Sequence, residues 1–261
     1  MWALNESEIL GLQGLGGGQP FTEFVDALIG TAAWHGGVPS AELRTNFRVH
    51  IADKGVDTAL ACAVPRDASG WLSVPTVWQY KAEAYTEVRR RKQLTGDYVH
   101  QLVREGHAYR LAIADSVPAV TVADWNAELL ALARAVSPAA LPPGVVTAGS
   151  LKDWANHYPA LVLRRFRPNL AATAQHFDAW RAGVTAHSKE YVPVAHWVGL
   201  QEVLRRHMDL QLPVPEVVLP LQGEPGVGKT RVVFEAAQAL GLGSVVAMYM
   251  PDEARATEIA T

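Results

Sequence analysis

The sequence is poor in cysteine: Cys62 is the only one among 261 residues, so an intrachain disulfide is excluded. A chain without disulfides fits a reducing compartment. The apolar residues around Cys62 favour a small buried side chain over a reactive nucleophile.

Long apolar runs are also missing, and no stretch approaches the roughly 18 residues that a transmembrane helix needs. The first residues include Glu6 and Glu8 but no early Lys or Arg, which does not fit a signal peptide. These absences predict a cytoplasmic protein with no membrane partner.

A basic excess is lacking too, because 23 Lys and Arg residues stand against 26 Asp and Glu, for a net charge of −3. Any contact with nucleic acid therefore has to come from a local patch. The basic run at 89–92, on a predicted helix, is such a patch and would meet DNA phosphates. Glu83 and Glu87 lie one turn away, so a solvated helix face explains the run equally well.

What the chain does contain is a complete phosphate-binding motif, Gly-Glu-Pro-Gly-Val-Gly-Lys-Thr at 223–230. Its glycines allow successive backbone N–H groups to converge on a phosphate. Lys229 is expected to reach the β- and γ-phosphates, and the Thr230 hydroxyl to bind Mg²⁺. The predicted nucleotide-binding residues are Gly223, Gly226, Gly228, Lys229 and Thr230.

The surroundings of this motif are those that a P-loop requires, with an apolar strand at Val217–Leu221 before it and a helix at Lys229–Leu240 after it. The core face of that helix is predicted to consist of Val232, Val233, Ala236, Ala237 and Leu240. Only residues 231–261 follow, with no acid placed to be the second Mg²⁺ ligand. We therefore expect an incomplete NTPase domain and a chain that forms the front part of a larger protein.

The sequence predicts an α/β protein in four parts: a flexible or turn-rich head at 1–20, a domain at 21–150, a helical connector at 151–215 and the NTPase start at 216–261. Apolar periodicity and turn signals place the elements. Predicted helices are Phe21–Ala33, Glu83–Lys92, Val122–Val136, Leu151–Phe166, Ala171–Gly183 and one around Trp197–Met208. Predicted strands are Phe47–Ile51, Thr58–Val64, Ser73–Tyr80, His107–Ala114, Val145–Thr147 and Val245–Tyr249, with a loop at 34–45.

A candidate catalytic cluster lies in the 21–150 domain, where Asp57 opens one predicted strand and Gln79-Tyr80-Lys81 ends a neighbouring one. Strand alternation puts Gln79 and Lys81 on one face and Tyr80 on the other. A carboxylate, an amide oxygen and an ammonium then converge, which suits Mg²⁺-dependent phosphodiester hydrolysis. Asp57 and Gln79 would hold the metal, and Lys81 would orient the nucleophile or stabilise the developing negative charge.

At these residues the chain resembles the PD-(D/E)xK restriction-endonuclease-like superfamily, in its Mrr-like form with Gln in place of the second acid. A helix with Phe21 and Glu23, the Gly-Val-Asp turn that ends in Asp57, and the Gln-Tyr-Lys strand follow the family's order. The resemblance covers about residues 20–115 and implies a mixed sheet flanked by helices. It also implies a DNA endonuclease acting on double-stranded DNA, with Glu23 as a further metal ligand.

The whole order, a nuclease-like module, a helical connector and a P-loop, resembles bacterial STAND-type NTPases of phage defence. That resemblance implies ATP as the nucleotide and homo-oligomerisation on activation, which aligns effector sites. Two other interpretations stay open. In one, the nuclease-like domain is degenerate and only binds nucleic acid or a protein partner, while ATP turnover does the work. In the other, the chain is a truncated product without independent activity.

Overall fold

The computed structural model describes residues 3–45, 56–65, 67, 69–83, 94–167, 174–176, 199–200, 202–203, 229–239 and 247–249. The chain divides into two compact units. One is Leu4–Asn156, and the other consists of Met1–Ala3 with His157–Thr261. Each unit is described by itself below.

The unit Leu4–Asn156 alternates helices and strands, which makes it an α/β fold as predicted. Its helices are α1 (Glu6–Leu10), α2 (Gln19–His35), α3 (Asp97–Arg104), α4 (Ala119–Val136) and α5 (Ala148–Ala155). Its strands are β1 (Leu43–Thr45), β2 (Thr58–Leu60), β3 (Thr76–Lys81), β4 (Ala108–Ile113) and β5 (Gly144–Val146).

The five strands form one mixed sheet in the order β1-β2-β3-β4-β5. The first two pairs are antiparallel, and β3, β4 and β5 run parallel to one another. Parallel neighbours need a crossover connection, and α3 and α4 lie in the two connections that join these strands. All six residues of β4 are buried, as expected of a strand covered on both faces.

Helices cover both faces of this sheet, because the strand side chains alternate between two apolar layers. On one face, Val77 and Leu111 pack with Trp125 of α4 and with side chains of α3. On the other face, Trp78 stacks on Trp154 of α5, with ring centroids 5.9 Å apart. Trp154 is 1% exposed, so it belongs to the apolar layer between α5 and the sheet. The predicted mixed sheet flanked by helices is thus present.

Strand β1 lies inside the window predicted as a loop, so that part of the prediction is wrong. Its residue Leu43 pairs with Leu60 of β2. The turn residues Gly36, Gly37 and Pro39 dominate the local sequence, whereas the strand forms because β2 offers an edge for pairing. Such a strand carries little local signal.

Other boundaries also differ from the predictions. The helix predicted at Leu151–Phe166 is two helices, because Pro159 lacks a backbone N–H and starts a new helix as its first residue. Helix α3 was not predicted at all. Cys62 lies in a bend after β2 and is half-buried, not inside a buried strand.

The second unit contains α6 (Pro159–Phe166), β6 (Ala174–His176), α7 (Lys229–Ala239) and β7 (Ala247–Tyr249) among its described residues. Strands β6 and β7 pair antiparallel. The predicted helix Ala171–Gly183 is therefore wrong at 174–176. The predicted elements Phe47–Ile51 and Val217–Leu221 lie outside the described residues, as do 84–92 of the helix predicted at Glu83–Lys92.

The segment predicted as a flexible or turn-rich head ends in glycines with positive φ, and Gly14 donates its N–H to the Ala82 carbonyl over 2.9 Å. Gly18, which caps α2, has φ +93, and a Cβ added there would lie 2.9 Å from the Ala82 Cβ. The close approach and the left-handed backbone both require glycine at this position. The N-terminal end of α2 is thereby held at the Ala82 end of β3.

Gly18→Ala is expected to lower the free energy of unfolding by about 2–4 kcal/mol, through left-handed strain and the clash with Ala82. The matched control is Gly17→Ala, where φ is +68 but nothing lies within 4 Å of an added Cβ. That variant should lose only about 1–2 kcal/mol. Denaturant unfolding of both variants checks this, and equal losses would show that the contact with Ala82 has no cost.

Candidate functional site

Asp57 precedes β2 by one residue and is tied to β3 twice. Its backbone N–H donates to the Trp78 carbonyl over 2.9 Å. Its carboxylate Oδ2 accepts the backbone N–H of Tyr80 at 2.6 Å. The carboxylate is thus fixed at the level of residue 80, between Gln79 and Lys81 in the neighbouring strand.

Gln79 and Lys81 share one face of β3, and Tyr80 lies on the other, as the alternation predicted. Gln79 is half-buried, and its Oε1 accepts the hydroxyl of Tyr109 at 2.6 Å. An amide oxygen has two lone pairs, so one acceptor position of Gln79 Oε1 remains for a further ligand. Tyr109, on β4, therefore orients the Gln79 amide, and its role was not predicted.

Lys81 is the last residue of β3 and is half-buried. Its carbonyl accepts the Ala114 N–H at 3.0 Å, which extends the pairing of β3 with β4. Within the described part of the chain, its ammonium makes no hydrogen bond or ion pair. The cation is therefore available for an anionic group that approaches this end of the strand.

Glu23, the further predicted metal ligand, belongs to α2, which packs on the sheet face opposite to Gln79. Its carboxylate accepts the Gln19 Nε2–H at 3.0 Å. Glu23 thus lies toward the Ala82 end of β3, but in a different layer from Gln79. The fold places Asp57 and Gln79 on the same strand pair and leaves Glu23 outside it.

Asp26 is a buried carboxyl behind the cluster that the sequence interpretation did not single out. Its Oδ1 accepts two hydroxyls, that of Thr58 at 2.5 Å and that of Tyr80 at 2.6 Å. Desolvation raises the pKa of Asp26, and desolvation together with the Asp26 charge raises the pKa of Tyr80 well above its usual 10. A signal existed in the sequence, because Asp26 falls within the apolar arc of α2 formed by Val25 and Ile29.

The donor chemistry of this cluster suits Mg²⁺, which prefers oxygen ligands and keeps several waters. Asp57 supplies a carboxylate oxygen and Gln79 an amide oxygen, both held by hydrogen bonds that fix their orientation. Such supporting contacts are typical of metal sites. Across the described residues, no group of three or more His, Cys, Asp or Glu side chains is placed to hold a metal. Among the described residues, Asp57 and Gln79 are thus the side chains whose oxygens would serve such an ion.

The residues of the phosphate-binding motif are only partly within the described structure. Gly223, Gly226 and Gly228 lie outside the described residues, and Lys229 and Thr230 are described only as the backbone that begins α7. The buried face of α7 consists of Val232, Phe234, Ala236 and Ala237. Phe234 was not predicted, and Val233 is only half-buried. Arg231 pairs with Glu235 one turn later at 2.5 Å.

The comparisons with protein-family models, curated proteins and solved structures gave no match for this chain. None of the helices in the described ranges combines the length and the apolar character needed to cross a membrane. Functional inference therefore rests on the residues of the cluster and on the motif at 223–230.

Proposed function

We propose that the unit Leu4–Asn156 is a metal-dependent DNA endonuclease module of the PD-(D/E)xK type. The observation that carries this proposal is the hydrogen bond from the Tyr80 N–H to the Asp57 carboxylate. It places an acid beside a strand segment that presents an amide and an ammonium on one face. The strand order, antiparallel then parallel, further supports a sheet of the restriction-endonuclease-like kind.

In this proposal Asp57 and Gln79 hold Mg²⁺, which supplies Lewis-acid polarisation of the phosphodiester and an activated water. Tyr109 keeps the Gln79 oxygen oriented, and the Tyr80 N–H does the same for Asp57. The Lys81 ammonium, on the same face of β3 as Gln79, would bind a non-bridging oxygen and stabilise the extra negative charge of the pentavalent transition state. Attack of water on phosphorus forms one P–O bond and breaks the P–O bond to one deoxyribose, so one DNA end carries a phosphate and the other a hydroxyl that has taken up a proton.

The second part of the proposal concerns the motif at 223–230, to which we assign ATP and Mg²⁺. Its support is the sequence Gly-x-x-x-x-Gly-Lys-Thr and a helix that begins at Lys229 with a buried apolar face. We propose that ATP binding controls assembly of the chain in the manner of STAND-type NTPases in phage defence. Homo-oligomers would bring two nuclease modules to the two strands of a double-stranded DNA.

A second candidate function is a module that binds nucleic acid or a protein without cutting. Two observations favour it: Tyr109 uses the Gln79 oxygen, and the described residues contain no three-acid cluster. Under this alternative, Lys81 would contact phosphate as a point charge. Binding without metal-dependent cleavage is its signature.

The test is a nicking assay with supercoiled plasmid, the full chain, ATP, and Mg²⁺ or Mn²⁺ over a range of protein concentrations. We expect relaxation of the plasmid that EDTA stops and that Asp57→Asn reduces at least about 100-fold, because the amide keeps the Tyr80 contact but loses the charge. Asp153→Asn, at an acid that is exposed and paired with Lys152, is the matched control and should cut like the wild type. DNA binding without any EDTA-sensitive nicking would contradict the nuclease and favour the binding module.

A further inference from the structure

Asp26 is a carboxyl buried in an apolar layer of the fold. It is 5% exposed, on a helix face that otherwise buries apolar side chains such as Val25, Leu28 and Ile29. Among the described residues, its Oδ2 has no hydrogen-bond partner. Burying a carboxyl under these conditions costs free energy, and an apolar residue would pack there at a lower cost. Stability alone therefore does not account for an acid at this position.

The contacts of its other oxygen indicate what Asp26 does. Oδ1 accepts the hydroxyls of Thr58 and Tyr80. Thr58 directly follows Asp57, and Tyr80 stands between Gln79 and Lys81. One buried oxygen thus holds the backs of the two strands whose other sides carry the candidate site.

These contacts close into a ring. The Asp26 carboxylate accepts the Thr58 hydroxyl, and the residue before Thr58 is Asp57, whose carboxylate accepts the Tyr80 N–H. The Tyr80 hydroxyl donates to Asp26 and closes the ring. The helix, the start of β2 and the end of β3 are therefore locked in one arrangement. Loss of Asp26 would release both strands at the residues that set the Asp57 position.

We propose that Asp26 is a positioning residue for the candidate nuclease site, acting through Thr58 and Tyr80 to hold Asp57 against the backbone of β3. This inference rests on the proposed function for its catalytic consequence. The structural link itself, from Asp26 to the Tyr80 N–H, can be measured without any activity.

The first experiment is kinetic. Asp26→Leu removes the acceptor, and we expect it to lower the cleavage rate at saturating DNA roughly 10- to 100-fold, with little change in the apparent KM for DNA. Asp26→Asn keeps an oxygen acceptor of the same size and should retain activity within about threefold of the wild type. The matched control is Thr76→Val, which removes another buried hydroxyl from the same face of β3, where it accepts the Trp78 Nε1–H. That control should cut normally.

The second experiment reads the link directly, in the NMR spectrum of the full chain labelled with ¹⁵N-tyrosine. The Tyr80 amide signal is identified by its loss in Tyr80→Phe. A short bond to a carboxylate moves an amide proton downfield, so Asp26→Leu should move this signal upfield, and Asp26→Asn should leave it near its wild-type position. If Asp26→Leu does not fold, Thr58→Val, which removes one of the two donors, takes its place with the same expected direction.

The outcomes separate the two proposals. If Asp26→Leu changes neither the Tyr80 amide signal nor the cleavage rate, the positioning role is wrong and the nuclease proposal is unaffected. If the Tyr80 amide signal moves as expected in Asp26→Leu but the wild-type chain does not cut DNA, the nuclease proposal is wrong and the ring of contacts is supported. Equal losses of rate in Asp26→Leu, Asp26→Asn and Thr76→Val would show a general loss of stability and would also overturn the positioning role.

Discussion

Lys81→Met is expected to lower the rate of metal-dependent DNA cleavage by about 10²–10³-fold, with DNA affinity nearly unchanged. The methionine keeps the length and the apolar stem of the half-buried side chain, so β3 and its pairing with β4 should persist. What is lost is the only charge that the Gln79–Lys81 segment offers to the scissile phosphate. Removing one preorganised group that stabilises transition-state charge lowers the rate by a factor of this order.

Single-turnover nicking measures the rate, and fluorescence anisotropy with labelled duplex measures binding. Lys152→Met serves as the matched control, because Lys152 is partly exposed, pairs with the neighbouring Asp153 and lies on α5 away from the cluster. Lys81→Arg keeps the charge but spreads it over a planar fork, so partial activity is expected. A Lys81→Met chain that cuts at the wild-type rate would remove Lys81 from the mechanism. Equal losses of binding and cleavage would reduce its role to phosphate contact.

The part of the site that could be predicted is the part that depends on strand periodicity. Alternation alone separates Tyr80 from Gln79 and Lys81, and a turn before a short apolar strand suggests an acid at its start. Those inferences need no knowledge of the neighbouring strands. They brought Asp57 and β3 together correctly because β2 and β3 are consecutive in the chain and antiparallel, which is the common arrangement for strands that are neighbours in sequence.

The contacts that fix these side chains could not be predicted, because they depend on register and on layer packing. Tyr109 meets Gln79 only because β4 lies parallel to β3 with Val77 opposite Tyr109. Glu23 was assigned by order along the chain, but the rotation of α2 about its axis puts Asp26 behind the strands. A helical sequence gives the arc that is buried and not the strand residues that the arc meets.

The strand β1 shows the same limit at the level of the fold. The sequence of its three residues gives only a weak strand signal, and the neighbouring glycines and proline predict a loop. Pairing with β2 adds hydrogen bonds that only the folded sheet can offer. Helix α3 was missed for a related reason: it spans only eight residues, Asp97–Arg104, which is too short for a clear periodic pattern of apolar residues.

Lys229→Ala is expected to weaken ATP binding by about 100-fold, because a charge-assisted contact to the β- and γ-phosphates is lost. Thr230 should act through the metal, so Thr230→Ala should weaken binding of Mg²⁺–ATP much more than binding of ATP in EDTA. Thr230→Ser retains the hydroxyl and should behave like the wild type. The two positions thus separate a phosphate contact from a metal contact within one motif.

Equilibrium dialysis of the full chain against labelled ATP, with Mg²⁺ or with EDTA, measures both effects, and Lys152→Ala is the charge-matched control. Binding that is unchanged in Lys229→Ala would mean that the Gly-rich segment at 223–230 is a turn and not a nucleotide site. Binding lost in Lys229→Ala, but equally sensitive to Thr230→Ala with and without Mg²⁺, would keep the phosphate contact and remove the metal role of Thr230. The selective Mg²⁺ effect is expected, because the P-loop hydroxyl binds the ion and not the phosphate.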